Sequence, residues 1–167
     1  MPELTTERLL LRHVTPDDAP FVLALLNSPG WLTYIGDRRV RTEAQATTYI
    51  TDRMLGAYAT PGHGSFVATD RATGKPLGVV GVYVRDYLQA PDFGYAFLPA
   101  YHGRGYALEA ARAVLAQPEV VALPSLLAIV MPDNARSIHL LARLGFSRTG
   151  TTENEEGVLL ECYARAT

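Results

Sequence analysis

The sequence predicts an α/β fold in which a strand and two helices are followed by three strands, a helix, a strand, a helix and two strands. Apolar residues at helical spacing and short β-branched or aromatic runs predict these elements. Glycines, prolines and helix-capping residues separate them. Since no repeat, low-complexity tract or linker interrupts this order, residues 1–167 are expected to form a single domain.

Composition and charge exclude several classes of function. Of the 167 residues, 48% are hydrophobic and 19% are charged, which is typical of a soluble globular protein. The net charge of −2, without a basic block, argues against nucleic acid as a partner. The single cysteine, Cys162, excludes an internal disulfide and a cysteine-rich metal site. Because His13, His63 and His139 are scattered and form no ligand motif either, no metal is expected.

A membrane partner is not expected. The longest apolar runs, residues 77–84 and 126–131, fall well short of the roughly 20 residues that span a bilayer. Residues 1–12 lack the long apolar stretch behind a basic end that marks a signal peptide. The expected location is therefore the cytoplasm.

The first third of the chain predicts one strand and two helices. Residues 6–13 alternate as a strand does. Residues 15–18, Thr-Pro-Asp-Asp, combine a capping hydroxyl, a first-turn proline and acids favoured by the helix dipole, and this helix ends near residues 27–30. Residues 31–40 are an irregular connection with aromatic residues. The capping-box pair Thr42 and Gln45 begins a second helix that runs to about residue 55.

The rest of the chain predicts six strands and two further helices. They are strands at 65–69, 77–85 and 92–98, a helix at 107–116, a strand at 125–130, a helix at 134–144, and strands at 146–151 and 158–164. The helix at 107–116 is rich in alanine, the best helix former. A connector lies between Pro118 and Pro124, and Gly145 suits the left-handed position that closes a helix.

A glycine turn leads from the strand at 92–98 into the alanine-rich helix. Gly103 and Gly105 lack a Cβ, so the backbone amides of the turn can approach a ligand closely. The first amides of the helix have no intrahelical partner and carry the positive end of the dipole. The turn therefore suits a phosphate or pyrophosphate, although an ordinary helix entry with nothing bound would have the same sequence. Neither the Walker nor the dinucleotide-binding pattern matches it.

The glycine turn resembles the acyl-CoA loop of a known superfamily. His102-x-x-Gly105-x-Ala107 is similar to the Arg/Gln-x-x-Gly-x-Gly/Ala loop of the GNAT acetyltransferases. Residues 103–110 are similar to the Gly-Lys-Gly-Tyr-Ala-Thr-Glu-Ala form of the ribosomal-protein N-terminal acetyltransferase (RimJ/RimL-like) branch. The differences are arginine for lysine and leucine for threonine.

Two further patterns resemble the same branch, in the same order. Asn-x-x-Ser at residues 134–137, followed by Arg-Leu-Gly-Phe at 143–146, is similar to its Asn-x-x-Ser … Lys-Leu-Gly-Phe signature. Asp-Phe-Gly-Tyr at residues 92–95 is similar to its Glu-Ile-Gly-Tyr strand. Three local matches in the right order are much harder to obtain by chance than one, so the chain is identified as a member of this superfamily over residues 7–163.

The resemblance implies a fold and an activity. The fold is a central mixed, mostly antiparallel sheet of about six to seven strands flanked by about four helices. The activity is transfer of an acetyl group from acetyl-CoA, a co-substrate, to a primary amine by direct attack in a ternary complex. The acceptor would be a protein N-terminal amine or a small amine, and the protein a monomer or homodimer. A non-catalytic acyl-CoA-binding regulatory domain is the alternative, and a nucleotide-binding protein is a more distant one.

The resemblance also implies where acetyl-CoA binds. Strands 92–98 and 125–130 would splay apart, with the pantetheine arm in the gap and the pyrophosphate on the glycine turn. A backbone amide near Phe97 or Leu98 would stabilise the oxyanion. The expected contacts are Phe97, Leu98, His102, Gly103, Arg104, Gly105, Tyr106, Ala107, Asn134 and Ser137. For His102 a phosphate contact and a surface position stay open, and for Asn134 a pantetheine contact and a helix cap.

Two residues are candidates for proton transfer. Asp92 is the candidate general base for the protonated amine, and a solvated strand-end aspartate is the alternative. Ser137 is the candidate proton donor to the departing thiolate, and a first-turn helix residue that bonds backbone is the alternative. Asp86, Glu109 and Glu161 are lesser candidates for the base, and for Glu109 a structural role at the helix end is favoured.

The acceptor is expected to enter between the connection at residues 31–36 and the acidic turn at 153–156. Trp31 and Tyr34, together with Asp92, are the predicted substrate-binding residues. An aromatic and acidic lining would suit a cationic amine or a peptide N-terminus, whereas the acidic turn alone would also fit an ordinary solvated hairpin.

Overall fold

One mixed sheet of eight strands organises the part of the chain that the computed structural model describes, residues 3–165. Residues 1–2 and 166–167 of the predicted domain lie outside the described residues. The strands are β1 Leu4–Thr5, β2 Leu9–His13, β3 Gly64–Asp70, β4 Pro76–Tyr83, β5 Asp92–Phe97, β6 Leu126–Val130, β7 Phe146–Glu153 and β8 Leu159–Arg165. Their order across the sheet is β1-β2-β3-β4-β5-β6-β8-β7.

The predicted sheet class is confirmed. All neighbouring strands pair antiparallel except β5 and β6, which are parallel. The expected number of strands, six to seven, was too low by the two-residue strand β1. A strand of this length is too short to show the alternation from which a sequence predicts strands.

Six α-helices flank the sheet within residues 3–165, where about four were expected. They are α1 Ala19–Leu26, α2 Pro29–Tyr34, α3 Glu43–Tyr49, α4 Tyr106–Leu115, α5 Pro118–Val121 and α6 Ala135–Arg143. The additional helices, α2 and α5, are short and begin with a first-turn proline, which favours a helix start. They replace the irregular connection and the connector that the sequence predicted, because one or two turns carry too little periodicity to be recognised.

Helices cover both faces of the sheet, so neighbouring strand residues pack in different clusters. Phe66 of β3 packs in the cluster that contains Ala110 and Val114 of α4, whereas Val67 packs with Leu25 of α1 on the opposite face. Successive side chains of a strand point to opposite faces, which explains why almost every residue of β3 is buried. In the part of the chain that the structure describes, every helix is too short or too polar to span a bilayer.

The neighbouring strands β5 and β6 pair at one position only. Asp92 is the partner of Leu127, and the Leu127 N–H donates to the carbonyl oxygen of Pro91 at 2.9 Å. No second pair joins the two strands in the described part of the chain, so they separate toward their C-terminal ends. The expected splay of these strands is therefore confirmed, and it opens a gap in the middle of the sheet.

Candidate active site

A cleft of about 1580 Å³ extends from this gap. The glycine turn and the start of α6 line one part of it, and residues 30–36, residues 38–39 and the turn at residues 154–156 line another. The predicted site residues Trp31, Tyr34, Asp92, Phe97, His102, Gly103, Gly105, Tyr106, Ala107, Asn134 and Ser137 all line the cleft. Leu98 and Arg104 are not among the lining residues, so the structure brings together all but two of the predicted site residues.

The glycine turn has the conformation that its sequence predicts. Gly103 and Gly105 have φ angles of +72° and +81°, a left-handed conformation that favours glycine. Gly105 caps α4, and the first intrahelical bond runs from the Glu109 N–H to the Gly105 carbonyl at 3.0 Å. The N–H groups of residues 106–108 therefore have no intrahelical acceptor. An anion can bind at this helix end.

An ion pair from a distant part of the chain supports the glycine turn. Glu109 accepts hydrogen bonds from the Thr6 hydroxyl at 2.6 Å and from the backbone N–H and Nε of Arg8 at 2.8 and 2.7 Å. Arg8 Nη1 donates to the carbonyl oxygen of Arg104 at 2.9 Å, and its guanidinium lies 4.3 Å from the centroid of the Tyr106 ring. Arg8 thus fixes the glycine turn through the carbonyl of Arg104 and the ring of Tyr106.

This network also decides the role of Glu109. Burial raises the pKa of its carboxyl, but the hydrogen bonds from Thr6 and Arg8 together outweigh burial, and the pKa lies below its usual range. A carboxylate that is already fully hydrogen-bonded is a poor general base. The structural role that the sequence favoured for Glu109 is the one that the geometry supports.

His102 connects the end of β5 to the start of α6. Its Nε2 lies 2.7 Å from the Phe97 carbonyl oxygen, and its Nδ1 lies 3.2 Å from Nη1 of Arg136. A carbonyl only accepts and a guanidinium only donates, so these contacts fit an imidazole that donates through Nε2 and accepts at Nδ1. Because both ring nitrogens have protein partners, neither is left for a phosphate.

The backbone at the end of β5 narrows the choice of oxyanion donor. The Leu98 N–H donates to the Leu77 carbonyl at 2.9 Å, so the prediction that it could serve as this donor was wrong. Backbone groups alternate in direction along an antiparallel strand. Since Leu98 is directed toward β4, the N–H of Phe97 is directed toward the gap between β5 and β6.

Asp92 is buried where β5 and β6 meet. Its exposed fraction is 1%, which contradicts the alternative of a solvated strand-end aspartate. Its Oδ1 accepts a hydrogen bond from Nε of Arg85 at 2.8 Å. Burial raises the pKa of Asp92 more than the charge and hydrogen bond of Arg85 lower it. A carboxylate with a raised pKa in a cleft has the properties of a general base.

A hydrogen bond between two hydroxyl groups crosses from β5 to α6. Asn134 caps α6, because its Oδ1 accepts from the Ser137 N–H at 3.2 Å. The Ser137 Oγ in turn accepts from the Tyr95 hydroxyl at 3.0 Å. Burial raises the pKa of Tyr95 above its ordinary value. The sequence indicated Ser137 but not Tyr95, although Tyr95 stands in the strand pattern at residues 92–95.

The acceptor end of the cleft has a different lining from the one expected. Trp31 and Tyr34 lie on α2 and line the cleft, as do Glu155 and Glu156 of the acidic turn. Residues 38 and 39, both arginines, line it as well, and they were not anticipated. The lining therefore carries both signs of charge rather than acidic charge alone.

The lesser candidates are distributed between the cleft and the rest of the sheet. Asp86 lines the cleft and is exposed. Glu161 forms an ion pair with Arg148 at 3.0 Å and also accepts from the Tyr163 hydroxyl, so it stabilises the pairing of β7 and β8. Among residues 3–165, no group of three or more histidine, cysteine, aspartate or glutamate residues is arranged to hold a metal ion.

Comparisons with known proteins agree with this arrangement. A family model described as an acetyltransferase (GNAT) domain matches residues 8–147. An uncharacterized N-acetyltransferase of Bacillus subtilis strain 168, YoaA, is 27% identical over 152 residues, which cover 89% of this chain and 85% of YoaA. The crystal structure of an acetyltransferase from Agrobacterium tumefaciens strain C58 has a TM-score of 0.81 and 27% identity, with 100% of this chain and 95% of that chain covered.

A more distant structure shares the fold alone. The ribosomal-protein-S5-alanine acetyltransferase from Vibrio fischeri has a TM-score of 0.70 and 18% identity, with 99% of this chain and 96% of that chain covered.

Proposed function

This chain belongs to the GNAT acetyltransferase domain family, and from that premise we propose that it transfers an acetyl group from acetyl-CoA to a primary amine in a ternary complex. One observation carries the proposal: two positive-φ glycines open α4 directly beside the gap between β5 and β6. A pyrophosphate-sized anion site and a slot for an extended chain are thus adjacent. We propose a single domain, a cytoplasmic location, and a monomer or homodimer.

The glycine turn and the gap supply the proposed acetyl-CoA site. The pyrophosphate binds the free N–H groups of residues 106–108, and the pantetheine arm lies between β5 and β6, where it pairs with the backbone that the strands leave unmatched. The proposed contacts are Phe97, Gly103, Arg104, Gly105, Tyr106, Ala107, Asn134 and Ser137. Arg136, which bonds His102 at the same end of the gap, is a further candidate.

The proposed proton-transfer groups lie on opposite sides of β5. The side chains of even-numbered residues, such as Ala96, pack with α1 and α3, whereas Tyr95 packs in the cluster of α4 and α6. Asp92 is therefore on the side of the acceptor, and the pair of Tyr95 and Ser137 is on the other side. A thioester held in the gap lies between a base and an acid.

In the proposed reaction, a proton is removed on the Asp92 side of the sheet and a proton is donated on the Ser137 side. Asp92, directly or through a water, takes a proton from the ammonium group, and the neutral amine attacks the thioester carbonyl. The N–H of Phe97 stabilises the oxyanion. When the carbon–sulfur bond breaks, the amine nitrogen loses its second excess proton to water and the CoA thiolate takes the proton of Ser137. Tyr95 replaces the serine proton through its 3.0 Å hydrogen bond and is reprotonated from solvent. Positioning accounts for much of the rate, because the thioester is already reactive.

The acceptor is proposed to be a protein N-terminal amine or a small amine. The patterns at residues 92–95, 103–110 and 134–146 support a place in the RimJ/RimL-like branch. The likeness to the Vibrio fischeri enzyme supports the shared fold and no more, since the two chains are 18% identical. Trp31 and Tyr34 are the proposed contacts of the acceptor.

Two measurements test the proposal. Acetyl-CoA-dependent release of the CoA thiol is followed with N-terminal peptides, amino acids and polyamines, and calorimetric titration compares acetyl-CoA, ATP and NAD. We expect turnover with at least one class of amine and the tightest binding for acetyl-CoA. Tight CoA binding without turnover on any amine would indicate a regulatory acyl-CoA-binding domain. A preference for ATP or NAD would overturn the acyl-CoA assignment.

A further inference from the structure

Side-chain hydrogen bonds hold the turn between α2 and α3, residues 36–41, in one conformation. The carboxylate of Asp37 accepts hydrogen bonds from Nη1 and Nη2 of Arg41 at 3.0 and 2.6 Å. Arg41 Nη1 also donates to the Asn27 Oδ1 at 2.9 Å, and the Asn27 Nδ2 donates to the Val40 carbonyl at 2.8 Å. A bidentate pair fixes geometry more than a single contact does. The turn is therefore tied to the end of α1 in one shape.

Arg39 has a backbone conformation that an arginine rarely adopts. Its φ angle is +57°, and it is the one non-glycine residue with a positive φ within residues 3–165. The Asp37 Oδ1 holds this conformation by accepting the Arg39 N–H at 2.8 Å. Glycine or asparagine would occupy the position with less strain. An arginine at a position that favours glycine indicates a function for its side chain.

Arg38 and Arg39 place two positive charges in the segment that lines the acceptor end of the cleft. Both line the cleft, and Arg38 is half-buried. Neither forms an ion pair with a carboxylate of residues 3–165. The neighbouring Arg41 differs, because Asp37 neutralises it, and so does Arg85, which is paired with Asp92. Arg38 is therefore a half-buried guanidinium without an ion-pair partner, which favours binding of an anion, and the exposed Arg39, whose charge also acts on Asp37, lies next to it in the chain.

We propose that the acceptor amine carries an anionic group, a carboxylate or a phosphate, which Arg38 and Arg39 bind while the amino group faces Asp92. The inference rests on the proposed acetyl transfer and names its substrate class. It adds an anionic group to the expected acceptor, which was a cationic amine or a peptide N-terminus. The planar fork of arginine matches carboxylate and phosphate oxygens equally well, so both sources enter the test.

The test compares acceptors that differ only in the anion. Suitable pairs are an amino acid and its amide, N-terminal peptides with glutamate or glutamine at the second position, and phosphoserine and serine peptides. For each pair, the ratio of kcat/KM for the anionic acceptor to that for the neutral acceptor is measured. We expect at least one pair to give a ratio of about 10 or more, since a hydrogen-bonded charge contributes about 1.5–3 kcal/mol, or roughly 10- to 100-fold.

Four variants connect this ratio to the two arginines. Arg38→Gln and Arg39→Gln, singly and together, are expected to lower the ratio toward 1, mainly through a higher KM for the anionic acceptor. Arg39→Gly relieves the backbone strain and removes the charge, so a fall in the ratio without loss of folding separates the charge from the backbone. The control, Arg112→Gln, removes an exposed arginine of α4 and is expected to leave the ratio unchanged.

The outcomes separate this inference from the function on which it rests. Turnover of amines with ratios near 1 for every pair would overturn the anion site and leave acetyl transfer intact. A ratio above 10 that survives the double arginine variant would equally overturn the role of these two residues. No turnover on any amine would overturn the proposed function and this inference together. Acetyl-CoA affinity, measured in every variant, verifies that each is folded.

Discussion

Asp92 shows how one residue acquires its chemistry from two opposing influences. Burial destabilises the charged carboxylate, and Arg85, whose Nε lies 2.8 Å from Oδ1, stabilises it. Burial is the larger influence, so the pKa of Asp92 lies above its ordinary value. The carboxylate, which is the form that accepts a proton, is therefore populated at a higher pH than in an exposed aspartate.

Replacing Asp92 with asparagine removes the proposed base. We expect kcat/KM to fall by roughly 100-fold or more, within the range for general bases. In the wild type, kcat/KM should rise with pH as the raised pKa of Asp92 is passed, and the Asp92→Asn variant should lose this acidic limb. Acetyl-CoA affinity should stay within about twofold, because the pyrophosphate binds at the glycine turn and not at position 92. The measurement is the pH dependence of kcat/KM.

Asp86→Asn is the matched control, since Asp86 lines the same cleft but is exposed. If the variant at position 92 retained the wild-type pH profile, Asp92 would not be the base.

Tyr95 is a second residue whose role follows from one contact. A serine hydroxyl alone is a weak acid, and the Tyr95 hydroxyl at 3.0 Å can restore its proton. Tyr95→Phe should therefore lower kcat by about 10-fold with an unchanged dissociation constant for acetyl-CoA, and Ser137→Ala should do so at least as strongly. Because the two act as one unit, the double variant should cost about as much as Ser137→Ala alone.

Single-turnover kinetics measures the rate of the chemical step in each variant, and calorimetry measures the dissociation constant for acetyl-CoA. Additive losses in the double variant would show that Tyr95 acts independently of Ser137.

At the scale of elements, local sequence predicted the turns and caps better than the contacts between elements. The caps at Thr42, Gly105 and Asn134 follow from residues within one helical turn, and the structure has each of them. The pairing of Arg8 with Glu109 joins residues 101 positions apart. No periodicity or local propensity encodes such a pairing, so the sequence could place Glu109 at a helix end but could not identify its partner.

Glu109→Gln should weaken both the fold and the donor site. The variant breaks the pair with Arg8, so Arg8 no longer holds the Arg104 carbonyl and the glycine turn. We expect a loss of about 1–2 kcal/mol in the free energy of unfolding, because the pair is partly exposed, and a several-fold weaker affinity for acetyl-CoA. Denaturant unfolding and calorimetric titration measure the two effects.

The pH dependence of this loss follows from the lowered pKa of Glu109. The ion pair contributes its full stability above the unfolded-state pKa and loses it as the pH falls through the folded-state pKa. The difference between wild type and variant should therefore shrink in acid. Glu161→Gln breaks the pair with Arg148 far from the turn and should leave acetyl-CoA affinity unchanged. Equal effects of both variants on affinity would argue against a specific support of the turn.

At the scale of the whole molecule, the sheet consists of two parts with little pairing between them. Five strands, β1 to β5, form one part, and β6, β8 and β7 form the other. The pair Asp92 and Leu127 is their one register contact. The order of elements and its resemblance to a known family predicted this separation. The arginines that line the cleft were not predicted, because they come from segments that lie far apart in the chain.

A ligand that fills the gap should stabilise the folded molecule as a whole. At 100 times its dissociation constant, acetyl-CoA should add about 2.7 kcal/mol to the free energy of unfolding. For a chain of this length, that corresponds to a rise in Tm of about 5–11 °C. Thermal unfolding followed by circular dichroism, with and without acetyl-CoA, measures the shift.

Two glycine variants identify the part of the molecule responsible. Gly105→Val should reduce the shift strongly, since it distorts the glycine turn. Gly74→Val is the matched control and should keep the full shift in Tm. Gly74 also has a positive φ, +70°, but lies in the turn between β3 and β4. A full shift in Gly105→Val would place the ligand elsewhere.

The position of Asp92, where β5 pairs with β6, limits how the acceptor specificity can be redesigned. At position 93 a carboxylate would project to the other side of the sheet, where Phe93 now packs 5.9 Å from the ring of Phe146. At position 94 even a Cβ would come within 3.1 Å of the Tyr83 ring. A carboxylate moved to either neighbouring position would therefore have to displace an aromatic ring. New acceptors would have to be accommodated by changing the residues that line the cleft around Asp92.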